Sequence, residues 1–203
     1  TVSPACVGSQ LSTGALTPER ALSLRDGDGT TLAEALRAAG RNPDLLGADP
    51  SLADRVGVYV ELHVEQGRAL DLIDKPVAVA SAIWPHGRWR FTFCGAANHA
   101  GTTRLADRQD PMLTFASAVH DARARAAAHD AVATFGKLRV TPNGANAIPS
   151  RVEAWLDARA PDEQTLRALV GAITADAERS AGADRTSVRA EAESVSPAVL
   201  FPD

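Results

Sequence analysis

Arg88-Trp89-Arg90-Phe91-Thr92-Phe93 alternates charged or polar residues with aromatic ones, as a strand with one wet face and one buried face should. The elements downstream of this strand decide the fold. Asp110-Pro111 reads as a helix start: a capping carboxylate, then a proline whose missing N–H costs nothing at that position. Met112, Phe115, Ala116 and Val119 recur at helical spacing and predict the apolar face of that helix. Residues 133–140 predict a strand, and Pro142-Asn143-Gly144 a turn. Residues 151–159 alternate cleanly, so they predict another half-exposed strand. Leu166, Leu169, Val170, Ile173 and Ala177 share one helical face, with Gly182 as the stop. Residues 186–193 close with a last alternating strand. The order β-α-β-β-α-β predicts a four-stranded antiparallel sheet with two helices on one side.

Upstream the pattern differs. Residues 1–55 read as helices and turns. Thr17-Pro18-Glu19 is a helix start, Thr31 and Glu34 have capping-box spacing, and Gly40 can close that helix. Asp26-Gly27-Asp28-Gly29 has the look of a calcium loop, but the later ligand positions do not match, so a turn is expected. Residues 56–62 are a near-continuous run of β-formers, which predicts a strand buried on both faces as in a parallel sheet. A short helix is expected over residues 65–73 and a further strand over residues 77–83. Pro85-His86-Gly87 reads as a break and a candidate hinge.

Bulk properties exclude several classes. The chain has 203 residues and a formal charge of −4, so no overall basic field invites nucleic acid. No stretch approaches the ~20 apolar residues of a membrane helix. Thr1-Val2-Ser3-Pro4 lacks the basic and apolar pattern of a signal peptide. Two cysteines, Cys6 and Cys94, are too few for a disulfide scaffold and read as partly buried thiols. The expectation is a cytoplasmic protein with a core of Ala, Leu and Val.

Chemistry concentrates in four places. His63 sits at the end of the predicted buried strand in Glu61-Leu62-His63-Val64-Glu65-Gln66-Gly67, where a neutral imidazole can bind metal and a carboxylate can set its tautomer. His99 lies in Asn98-His99-Ala100-Gly101-Thr102-Thr103, a donor-rich loop able to stabilise an oxyanion. Asn146, in Asn146-Ala147-Ile148-Pro149, can bond a carboxylate or a ureido group. Arg159 ends Leu156-Asp157-Ala158-Arg159, and its fork suits a carboxylate. Plainer readings stay open: a satisfied histidine at a helix start, a solvated histidine in a turn, an amide on its own backbone, and an arginine paired with Asp157 or Glu163. His86, His120 and His129 have weak contexts, and His120 beside Asp121 reads as a surface or interface residue.

Together these four motifs, in this order and spacing, resemble the amidohydrolase family of N-carbamoyl-L-amino-acid hydrolase, allantoate amidohydrolase and β-ureidopropionase, within the aminoacylase-like metallopeptidases. The resemblance runs through nearly the whole chain, including Gly14-Ala15-Leu16 and Leu24-Arg25-Asp26. It implies an α/β architecture. Residues 1–84 would be part of a zinc-exopeptidase-like catalytic domain. Residues 85–195 would be a ferredoxin-like βαββαβ lid and dimerisation domain, and residues 196–203 the start of the return. It implies two divalent metal ions per active site (zinc, manganese, cobalt or nickel), with His63 a ligand of the second. Gln66 would touch the substrate, Asn146 and Arg159 would hold it, and His99 would stabilise the tetrahedral intermediate, donated across a homodimer. The implied reaction is hydrolysis of the ureido C–N bond of a small molecule, an N-carbamoyl-L-amino acid or allantoate. The alternatives are a non-catalytic dimerisation module or a peptidase or deacylase relative.

The chain departs from the family pattern in two respects. The family's other metal ligands and its Glu-Glu pair do not occur here, which implies an internal piece of a longer protein, with no hydrolysis and weak or no specific metal binding of its own. Arg104-Leu105 stands where relatives usually have Pro-Met.

Overall fold

The computed structural model describes residues 6–201. Thr1-Val2-Ser3-Pro4, expected not to be a signal peptide, lies outside the described residues, as do Pro202 and Asp203. The chain divides into two compact units, one up to Pro76 and one from Val77.

The first unit holds short helices: α1 (Val7–Ser12), α2 (Pro18–Leu22), α3 (Leu32–Ala38), α4 (Leu52–Arg55) and α5 (Ala69–Leu72). The caps are those expected. Thr17 accepts from the Arg20 amide, and Thr31 and Glu34 form a reciprocal capping box. The Thr31 bonds also hold the Glu34 carboxyl below its ordinary range. Gly40 takes a positive φ of 68° just past α3. Asp26 accepts from the amides of Asp28 and Thr30, so the Asp-Gly repeat is a turn. Leu11, Ala21 and Leu24 are its buried apolar side chains among the described residues.

Two expectations fail in this stretch. Residues 56–62 form no strand, and residues 77–83 yield only the two-residue β1 (Ala82–Ile83). The physical reason is pairing. A strand buried on both faces needs neighbours on both edges and covers on both faces. Among the described residues none pairs with 56–62, and Val58, Tyr59, Val60 and Leu62 are exposed. The helix expected over 65–73 shrinks to α5, because Gln66 has a φ of 59°. The Glu65 carboxylate caps α5 from outside, accepting from the amides of Ala69 (2.5 Å) and Leu70 (3.2 Å).

The second unit is built as the alternation predicts. β2 (His86–Cys94), β4 (Val132–Thr141), β6 (Arg151–Arg159) and β7 (Ser187–Ser196) form an antiparallel sheet in the order β4-β6-β2-β7. The long helices α6 (Pro111–Ala128) and α7 (Glu163–Asp184) cover one face. The minor strands β3 (Asn98–His99) and β5 (Ala147–Ile148) pair with each other, and β8 (Val199–Leu200) pairs with β1. Phe91, Phe93, Val152, Ala154, Leu156 and Ala158 point inward, each with no exposed surface. The rings of Phe91, Phe93, Phe115 and Phe135 meet with centroids 5.4–6.2 Å apart. The other face is polar: Arg90 meets Glu191 across strands at 2.6 Å, and Lys137 sits over the Trp155 ring.

Details depart from the sequence-based expectation. The strand starts at His86, so the break between β1 and β2 is confined to Trp84 and Pro85 and does not extend over His86 and Gly87. Gly87 lies under Trp89, where an added Cβ would come within 2.5 Å of the indole ring. On α6 the buried stripe is Pro111, Thr114, Ala118, Ala122 and Ala126, while Ala116 and Val119 face out. Met112 and Phe115 pack against the core as expected, and the small side chains of the buried stripe let α7 come close. α7 runs through Gly182 and ends with Arg185 in the left-handed region. Cys6 is exposed and Cys94 half-buried; both are free.

A buried carboxylate joins the two helices. Asp176 on α7 accepts two bonds from Arg125 on α6 (2.7 and 3.0 Å) and another from Arg179. Those bonds, Arg125's first, hold its carboxyl down to about 2 against the opposing effect of burial. A carboxylate depressed by folding stabilises above its unfolded value of 3.8 and loses that contribution as pH falls toward 2. Both arginines remain partly solvated, which limits the contribution to about 1–2 kcal/mol. Asp176→Asn is therefore expected to lower urea stability by that amount at pH 7, with the difference closing between about pH 4 and pH 2. A difference independent of pH would contradict the ion-pair account.

Candidate active site

His63 lies in the irregular segment before α5 and is exposed. Its Nε2 is 2.6 Å from Glu61 Oε1. An ionised carboxylate only accepts, so Nε2 donates and the neutral ring presents Nδ1 as its lone pair. Glu61 also accepts from the Tyr59 hydroxyl at 2.8 Å. That bond, and then the one from His63, keep its carboxyl below the ordinary range. Gln66, three residues on, is exposed and held at positive φ.

In the second unit, His99 and Asn146 come together. β3 and β5 pair with His99 opposite Ala147, and the Ala100 amide donates to the Asn146 carbonyl at 2.8 Å. Both residues are exposed. Within its own loop the His99 ring accepts from the Gly101 amide at Nδ1, 3.1 Å away. The Asn146 carboxamide has no hydrogen-bond partner among the described residues. Arg104 pairs with Asp107 at 2.7 Å, and Leu105 is exposed on the rim of the same loop.

Arg159 stands apart from that pair. It ends β6, opposite His86 on β2 and Val132 on β4, and its Nε bonds Asp157 at 3.1 Å. The plain ion pair with Asp157 is thus present. β6 spans Arg151–Arg159, roughly 27 Å end to end, and Asn146 precedes its start. One unit therefore holds His99 with Asn146 at one end of its sheet and Arg159 at the other. His120 is exposed on α6, and His129 closes that helix with Nδ1 on the Arg125 carbonyl at 2.8 Å.

Arg108 is a member of the site that the sequence did not single out. It is half-buried, donating to the carbonyls of Ala100 (2.6 Å) and Thr103 (3.1 Å), inside the His99 loop. Its signal was slight: one arginine in a polar loop, two residues before the Asp110 cap.

Among the described residues, no three His, Cys, Asp or Glu side chains cluster in a way that could hold a metal ion. A catalytic metal takes about three protein ligands, and His63 supplies one. The residues present do not by themselves fit a metal centre.

No family model matches the chain. It is 42% identical over 154 residues to the N-carbamoyl-L-amino acid amidohydrolase of Geobacillus stearothermophilus, covering 75% of this chain and 37% of that protein. It is 31% identical over 162 residues to the allantoate amidohydrolase of Escherichia coli, covering 79% and 39%. Among solved structures, the hydantoinase/carbamoylase family amidase of Burkholderia vietnamiensis matches 98% of this chain and 48% of its own, with a TM-score of 0.82 at 29% identity. The chain thus spans less than half the length of these curated relatives. By these matches and its mixed α/β architecture, the chain belongs to the family of N-carbamoyl-L-amino-acid and allantoate amidohydrolases.

Proposed function

We propose that this chain is an internal segment of a metal-dependent amidohydrolase that cleaves the ureido C–N bond of an N-carbamoyl-L-amino acid or of allantoate. The observation that carries this reading is the junction of the His99 loop with the Asn146 turn, which offers an imidazole and an unpartnered carboxamide at one exposed end of a sheet. N-carbamoyl-L-amino acids and allantoate, the substrates in the relatives' names, carry both a ureido group and a carboxylate. Asn146 can bond the first, and Arg159 can grip the second with its fork. His99 donates to the oxygen that gains charge when the ureido carbon becomes tetrahedral. Hydrolysis would release the free amine, with carbon dioxide and ammonia from the carbamoyl group. His63 would be one metal ligand, toward a divalent ion such as zinc, manganese, cobalt or nickel. The described residues do not by themselves assemble the site of that ion.

In this reading the sheet unit is a lid and dimerisation domain over residues 85–195. Residues 1–84 belong to a zinc-exopeptidase-like catalytic domain to which residues 196–203 return. The β1–β8 pair supports an insertion, because the chain enters and leaves the unit side by side. A homodimer is supported by the placement of Arg159 and the His99 pair toward opposite ends of β6, a strand roughly 27 Å long, too far apart for one small substrate. Each site would then combine Arg159 of one protomer with His99 and Asn146 of the other. Edge strand β4 and the outer side of α6, with Leu113, Val119, Val132 and Leu138 exposed, offer the surface for that pairing. No helix among the described residues is long and apolar enough to cross a membrane. The free thiols Cys6 and Cys94 fit a cytoplasmic location.

The test is ammonia release from N-carbamoyl-L-amino acids and allantoate in the presence of manganese, cobalt or zinc. The 203-residue chain is expected to give no turnover, and the longer protein carrying it to turn over at ordinary enzyme rates. Turnover by the short chain alone would contradict the shared site. A longer protein inert toward every ureido substrate would contradict the function.

A further inference from the structure

We infer that Arg108 is a positioning residue that sets the tautomer of His99 through a single peptide group. The inference rests on the reading of His99 as an oxyanion donor. Arg108 donates from its terminal nitrogen to the Ala100 carbonyl at 2.6 Å. That carbonyl belongs to the same peptide unit as the Gly101 N–H, and the unit is trans, so the two groups point in opposite directions. The Gly101 N–H in turn donates to His99 Nδ1 at 3.1 Å. A grip on the oxygen therefore aims the N–H. Bonds on both ends of one amide also polarise each other and strengthen together.

The chemical consequence comes from the donor's identity. A backbone amide can only donate, so Nδ1 is the acceptor and the neutral ring carries its proton on Nε2. An Nε2–H is what an oxyanion donor needs. Were the peptide to flip, a carbonyl would face Nδ1, the proton would move there, and Nε2 would become an acceptor. The second Arg108 bond, Nε to the Thr103 carbonyl at 3.1 Å, holds the far side of the same turn. The Thr103 amide returns to the His99 carbonyl at 3.1 Å.

Arg108 is itself held. Arg185, the left-handed residue ending α7, donates to the carbonyls of Ala106 and Arg108. The base of the loop is closed by the Ala96 amide on the Gln109 carbonyl at 2.9 Å. Gly95 packs so tightly there that a Cβ would lie 2.1 Å from the same oxygen. The loop thus hangs from the sheet at its base and from α7 at its side.

The test is nitrogen-15 NMR of the histidine rings in the 203-residue chain, with amide exchange at Gly101. The wild-type His99 ring is expected as the Nε2–H tautomer. Arg108→Ala is expected to give mixed tautomers and Gly101 exchange about tenfold faster, the loss of one hydrogen bond, with the amides of Phe91 and Leu156 unchanged. Arg108→Lys, keeping charge and one donor, should recover part of the protection. An Nδ1–H ring in the wild type overturns the inference, whatever the variants do. So does an Arg108→Ala chain, folded by its sheet amides, with tautomer and exchange unaltered. Full turnover by His99→Ala in the longer enzyme would overturn instead the donor reading, and leave the tautomer assignment standing.

Discussion

If the proposed two-protomer site exists, mixing His99→Ala protomers with Arg159→Ala protomers of the longer protein is expected to restore about a quarter of wild-type turnover, where neither variant alone has more than a trace. Strand β6, roughly 27 Å long, separates Arg159 from the start of the strand and from Asn146 beyond it. A carbamoyl amino acid is far shorter. If both ends grip substrate, they grip different molecules. In the proposed site, removing His99 would take away a donor to the oxyanion, at a cost of about 10²–10³ in kcat. Removing Arg159 would take away the proposed carboxylate fork, at a similar cost seen mainly in kcat/KM. In a mixed pair one site carries both lesions and the other carries none. Random exchange makes about half the dimers mixed, and half the sites in those are intact. Activity that stays at the level of the separate variants would sink the two-protomer arrangement. Both residues would then have to serve within one protomer, or one of them would serve no site at all.

Phe91→Ala is expected to destabilise the sheet unit by about 3–5 kcal/mol and to lower its melting temperature by roughly 10–20 °C. Phe91 has no exposed surface. It lies on the central strand β2, hydrogen-bonded on both edges, opposite Ala154 and Ala190. Its ring contacts Phe93 and Phe135, which in turn meet Phe115 from α6. Truncation leaves a ring-sized hole beneath a helix whose buried stripe is mostly alanine, with little bulk to move in. Phe91→Leu should recover much of the loss, since it keeps most of the volume. Circular dichroism melts of the three proteins decide it. A loss under about 1 kcal/mol for the alanine variant would mean that this cluster does not hold the unit together.

The parts of the fold legible beforehand are those set by neighbours in sequence. Alternation in β2 and β6 put Phe91, Phe93, Val152 and Leu156 inside, because a strand has only two faces. Asp110, Thr17 and Thr31 cap their helices because each side chain reaches amides two or three residues away. Residues 56–62 had the same local credentials as a strand and are not one among the described residues. Their β-propensity expresses what they do when covered, and here Val58 and Leu62 are exposed. On α6, helical spacing placed Met112 and Phe115 against the core correctly, but put Ala116 and Val119 on that face where helix approach selected Ala118 and Ala122.

The candidate site divides along the same line. The residue types at His63, His99, Asn146 and Arg159, and their order, were readable directly, as was their likeness to a family of amidohydrolases. Three things were not: the joining of His99 to Asn146, the length of sheet between that pair and Arg159, and the hold of Arg108 on Ala100. Sequence by itself determined the alternation, the caps and the chemical inventory, since each depends on groups a few residues apart. Tertiary structure alone decided which of those groups meet, and which ring nitrogen of His99 carries its proton. Those outcomes depend on strand register and on carbonyls facing side chains across a loop, and neither leaves a mark in the local pattern.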